Sequence, residues 1–205
     1  MSNNGQKPKM KGLMKGSCLW GILLFLVLLF IDQTTKLAAD IYFNMPNAPK
    51  SLPVIPNLIS LTISYNRGIA FGVAADSSTA LKLGIIIGTG VMMVGIAVLY
   101  FMMDKRRSVI RTALVMIFSG GVGNLIDRLY YRVWDAASAT GGADGVRDMV
   151  DFSKFGLAVC NFADFFIVIG AIVLILGVIF FDKYAVIPVG KYKEMSKEEE
   201  EKGKK

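Results

Sequence analysis

LGIIIGTGVMMVGIAVLYFMM, residues 83–103, carries no charge, and it alone reaches the length of about 20 mostly apolar residues that a helical span needs. Three further uncharged runs flank it: 16–31 (GSCLWGILLFLVLLFI), 112–126 (TALVMIFSGGVGNLI) and 165–181 (FFIVIGAIVLILGVIFF). Each reaches spanning length by taking in neighbours, through Lys36 in the first, from Ser108 in the second and from Cys160 in the third. Four such runs among 205 residues, 54% of them hydrophobic, leave too little polar surface to cover them as buried helices of a soluble domain. The expected fold is an all-α membrane protein with four transmembrane helices.

Loop charge sets the expected orientation. Residues 1–15 hold four lysines and no acid, and the turn 104–111 (DKRRSVIR) has a net charge of +3. Segments 38–80 and 128–160 are neutral, and 182–205 carries +1. Both termini and the 104–111 turn are therefore expected in the cytoplasm, with the two long loops outside. The chain then divides into a basic N-terminus (1–15), a membrane domain (16–181) with outer loops 38–80 and 128–160, and a charged, largely disordered tail (182–205). Much of the formal charge of +7 is this orientation signal, and no basic patch of the kind that binds nucleic acid stands out. The first run also resembles a signal peptide. A retained helix is favoured, because Ala38-Ala39 follows Asp32 and Lys36 without a cleavage context. Cys18 and Cys160 fall near opposite faces, so no disulfide is expected.

In the first outer loop Ile59, Leu61, Ile63 and Tyr65 alternate with Ser60, Thr62 and Ser64. This period of two reads as a strand with one buried face. Its expected partner is 145–152 (GVRDMVDF), giving a small extracytoplasmic sheet from the outer loops.

With no histidine and two cysteines in the chain, carboxylates are the reactive groups to weigh. Asp32, Asp127, Asp151 and Asp164 lie at the outer ends of the apolar runs, where ionisable groups are expensive and usually functional. Asn124, Asp127 and Arg128 share a helix face by i, i+3, i+4 spacing. Asn161 and Asp164 fit a helix N-cap and its reciprocal partner. Asp32 and Lys36 are one turn apart and can simply pair. Asn66-Arg67-Gly68 reads as a turn, with Arg67 free to meet an anionic lipid headgroup. Two acids brought together from a loop and a helix start would share a proton and work as base and acid.

The strings Asp32-Gln33-Thr34-Thr35-Lys36, Asn66 through Phe71, Gly120 through Arg128, Val150-Asp151-Phe152 and Asn161 through Asp164, in this order against four spans, resemble lipoprotein signal peptidase, the type II signal peptidase of bacteria (aspartyl peptidase family A8). That resemblance implies a multi-pass aspartic endopeptidase of the bacterial inner membrane, with its site at the outer face. It would remove signal peptides from diacylglyceryl-modified prolipoproteins by cutting before the lipidated cysteine. Globomycin-type compounds would inhibit it, membrane phospholipids would surround it, and it would work as a monomer without metal or organic cofactor. It implies Asp151 and Asp164 as the catalytic pair. Asp32, Lys36, Asn66, Arg67, Gly68, Asn124, Asp127, Arg128, Asn161 and Ala163 would bind substrate or brace the site. Segment 129–149 is longer than the family's usual link, and its Asp135, Asp144 and Asp148 are expected to be solvated. Two other readings are a non-catalytic scaffold or chaperone for lipoproteins and a small transporter. The second would need ionisable groups near mid-span.

Overall fold

The computed structural model describes residues 10–68, 78–135, 145–182 and 184–203. Helix α1 runs Met10–Phe43, α2 Thr79–Met102, α3 Ser108–Tyr130 and α4 Phe162–Ile179. All four are long and apolar enough to cross a membrane. Strands β1 (Leu52–Ile55) and β2 (Ile59–Asn66) lie between α1 and α2, and β3 (Val146–Asp151) and β4 (Val159–Cys160) lie between α3 and α4.

Helix α3 is the hub, packed against α1, α2 and α4. It contains most of the spans' buried positions, whereas α2 and α4 expose many apolar side chains. The glycines of α3 permit this closeness, as small residues do between membrane helices. A Cβ on Gly120 would stand 2.2 Å from the Ala163 carbonyl oxygen, and one on Gly123 would stand 2.3 Å from Asp32 Oδ2. At the end holding the 104–111 turn, buried Arg111 donates to the Tyr100 and Met103 carbonyls at 2.7 and 3.1 Å. It thereby satisfies acceptors at the C-terminus of α2. Arg107 pairs with buried Asp182 at 2.8 Å, tying that turn to the end of α4.

The strands form one antiparallel sheet in the order β1-β2-β3-β4. The expected pairing of β2 with 145–152 is present, with Leu61 opposite Val150 and Tyr65 opposite Arg147. Edge strands β1 and β4 are additions to the sequence reading. Helix α1 also continues beyond Ala38 to Phe43. A further difference lies in the tail, where α5 spans Lys191–Gly203. Its lysines and glutamates repeat at i, i+4, as in Lys197–Glu201, a spacing that supports an exposed helix. Cys18 and Cys160 are free thiols. Residues 69–71 of the Asn66–Phe71 string, and 136–144 with Asp144, lie outside the described residues.

Candidate active site

The start of α4 organises the polar end of the bundle. Asn161 caps the helix: its Oδ1 accepts from the Asp164 N–H at 3.1 Å, and the Asn161 N–H donates to Asp164 Oδ2 at 3.1 Å. This reciprocal box fixes the Asp164 carboxylate at the first turn. Its Oδ1 takes a second bond, from Asn124 Nδ2 at 2.8 Å. A lysine ammonium only donates, and Lys36 Nζ donates to Asn124 Oδ1 at 2.9 Å. The amide is thus turned so that its NH2 faces Asp164.

The second acid at this place is Asp148. Asn161 Nδ2 donates to Asp148 Oδ1 at 2.6 Å and to Asn124 Oδ1 at 3.1 Å. Asn66 Nδ2 reaches Asp148 Oδ2 at 3.4 Å. Asp148 is 4% exposed. Burial and the Asp164 charge push its carboxyl up to about 7, against the opposing bonds from Asn161 and Asn66. Asp148, Asp164, Asn66, Asn124 and Arg128 line one cavity of about 400 Å³, whose apolar lining includes Phe165 and Val168.

Asp151, expected beside Asp164, is elsewhere. It ends β3 partly exposed, and its Oδ1 accepts from the Ser153 N–H at 2.8 Å, which holds its carboxyl below the ordinary range. Ser60 Oγ is 3.5 Å from its other oxygen. The reason is parity: side chains alternate along a strand, so residues three apart cannot share a face. Asp148, expected to be solvated within a long insertion, instead sits inside β3. The strand reading of 145–152 already contained this signal, because Val146, Asp148 and Val150 have one parity and Asp151 the other.

The bracing residues form a layer behind the pair. Asp32, Lys36 and Asp127 are fully buried, with Lys36 Nζ 2.9 Å from Asp32 and 3.4 Å from Asp127. Asp32 Oδ1 also accepts from the Ala163 N–H at 2.9 Å, clamping α1 to the start of α4. Gly68 N–H closes a turn on Asn66 Oδ1 at 2.9 Å, and the Gly68 carbonyl accepts from Arg128 at 3.0 Å. Arg67, expected at a lipid headgroup, donates to the Asp135 carbonyl at 3.0 Å.

A group missed from the sequence is Arg147. It is 8% exposed and binds Asp127 twice, through its guanidinium at 2.7 Å and its backbone N–H at 3.1 Å. Its guanidinium also lies 3.9 Å from Asp40 and over the Tyr131 ring. Asp40 in turn accepts from Tyr65 and from Tyr131, and burial with the Asp40 carboxylate keeps the Tyr65 phenol protonated, its pKa pushed up to about 12. Nothing in the sequence marks this cluster, since its members come from α1, β2, α3 and β3. Cys160 also lines the cavity, but burial and the two carboxylates push its thiol up to about 12, so it stays uncharged.

The chain as a whole has recognisable relatives. The family model described as signal peptidase (SPase) II matches residues 24–180. The lipoprotein signal peptidase of Fusobacterium nucleatum subsp. nucleatum is 37% identical over 164 residues, covering 79% of this chain and 87% of the relative. That of Caldanaerobacter subterraneus subsp. tengcongensis is 38% identical over 154 residues, covering 75% and 91%. A solved bacterial membrane enzyme, determined by the in meso method at 1.9 Å resolution, superposes with a TM-score of 0.58 at 26% identity over 76% of this chain and 90% of its own.

Proposed function

This chain belongs to the signal peptidase II family of aspartic peptidases, and on that footing we propose that it cleaves signal peptides from diacylglyceryl-modified prolipoproteins with Asp148 and Asp164 as its acid pair. The observation that carries the assignment is buried Asn161, which bonds to both carboxylates at once, where the two acids line one cavity of about 400 Å³.

Asp148 holds the proton and Asp164 the charge. Both oxygens of Asp164 accept N–H bonds at a helix start, an arrangement suited to a carboxylate. Asp164 takes a proton from water as the water oxygen bonds to the scissile carbonyl carbon, and Asp148 passes its proton to the carbonyl oxygen. The resulting gem-diol collapses as the C–N bond breaks. Asp164 gives its proton to the leaving nitrogen, and a diol hydroxyl returns one to Asp148. The pair ends as it began, the shared-proton cycle of an aspartic dyad. Arg128 and Asn66 line the same cavity, with the Asn66 amide turned to Asp148.

The bundle sits in the bacterial inner membrane with both termini and the 104–111 turn in the cytoplasm, by the lysine and arginine bias. The sheet and the acid pair then lie at the outer face, where a substrate's signal helix stays in lipid and its scissile bond meets the acids. This geometry argues against ion transport, because the clustered acids sit at one end of the bundle. The test supplies purified protein in detergent with a diacylglyceryl-modified prolipoprotein and its unmodified counterpart. Loss of the signal peptide from the lipidated form alone is expected. Stable binding by folded protein with neither form cut would make it a scaffold.

A further inference from the structure

The sheet has two edges, β1 and β4, and they differ. An exposed edge offers unpaired backbone groups that recruit other strands, and proteins usually blunt it with proline, bulges or charge. Strand β1 carries Pro53 and a register shift between Pro53 and Ile55. Proline cannot donate to a ladder, so it blunts an edge. Strand β4 is short, and Leu157-Ala158, which lead into it, and Val159-Cys160 are uncharged and free of proline. Its register pairs Cys160 with Val150 and Val159 with Asp151 on one side. Among the described residues no strand lies on the other. Leu157 through Cys160 also line the cavity that holds Asp148 and Asp164, and Leu157 is 53% exposed.

We propose that the free edge of β4 is a substrate-binding strand: the peptide segment spanning the scissile bond adds to it as a fifth, extended strand beside the acid pair. The inference rests on the peptidase function above and names how that site holds its substrate. A signal sequence leaving the membrane as a helix buries its carbonyl carbons against attack and must unwind to be cut. Unwinding releases backbone N–H and C=O groups, and each left unpaired at membrane depth is costly. An added strand re-pairs them in the recurring mode of edge augmentation, while the adjoining cavity receives alternate side chains.

Strand addition has a signature, because successive amides along a strand point alternately toward the partner and away. The experiment uses a synthetic diacylglyceryl-modified peptide spanning the cleavage site, N-methylated at one backbone amide at a time on both sides of the scissile bond. Each is assayed with the full chain in detergent. Methylation at every second position should lower kcat/KM about tenfold, the loss of one hydrogen bond plus its blocked approach, with the intervening positions near the unmodified rate. Loss at all positions alike, or at none, with the parent peptide still cut, overturns strand addition and leaves the peptidase standing. A parent peptide left uncut overturns both.

Discussion

Burial and the neighbouring Asp164 push the Asp148 carboxyl up to about 7, so this one group links both turnover and stability to pH. Because Asp148 must carry a proton into the reaction, kcat should fall as pH rises through about 7; a pH–rate profile with the lipidated substrate checks this. For stability the sign is set by a folded pKa above the ordinary 3.8. The folded state is then penalised progressively as pH rises from about 4 through 7, and below that window there is no penalty. Asp148→Asn should be more stable than the parent at pH 8, by on the order of 4 kcal/mol, with the gap closing toward pH 4. Unfolding in detergent across that range measures it. Much of this residue-level chemistry was readable beforehand. The capping pattern of Asn161 and Asp164 and the shared face of Asn124 and Asp127 appear as expected. The misplacement of Asp151 came from matching a short string, Val-Asp-Phe, without applying strand parity to the two acids inside GVRDMVDF.

At the level of elements, the site depends on how closely α3 meets α4 and how firmly β3 is tied down. Gly120→Ala would set a methyl against a backbone carbonyl at 2.2 Å, which no side-chain rotation relieves. Overpacking of this kind costs about 1–3 kcal/mol, and the displaced start of α4 should also reduce kcat; thermal unfolding and turnover measure the two effects. Arg147→Met would take the guanidinium from buried Asp127 while leaving it the backbone N–H of residue 147 and the Lys36 ammonium. Losing one hydrogen bond to a charged group costs about 1.5–3 kcal/mol, and denaturant unfolding should show that loss. The four spans and β2 were legible because length and period two are strong signals. Strand β1 was hidden by its prolines and β4 by being two residues long. Helix α5 was read as disordered tail because its stability comes from charge spacing, with no apolar face to reveal it.

Across the whole molecule, an apolar bundle holds a polar end in which α1, α3, α4 and the sheet each contribute to one site, while α5 meets the bundle at Tyr192 against the exposed Phe181 ring. Removing residues 191–205 should leave turnover within about twofold, since surface segments without core contacts carry little stability; the same cleavage assay reads this. The four spans and the family were open to sequence reasoning, because apolar length and ordered strings act along the chain. The identity of the second acid was not, because it depends on which strand face meets the start of α4. The Asp148–Asp164 pairing therefore stands on one comparison, the cleavage of a diacylglyceryl-modified prolipoprotein by Asp148→Asn, Asp151→Asn and Asp164→Asn variants beside the parent. It predicts that the first and third lose turnover while remaining folded and that Asp151→Asn retains it. An active Asp148→Asn with an inactive Asp151→Asn would contradict it.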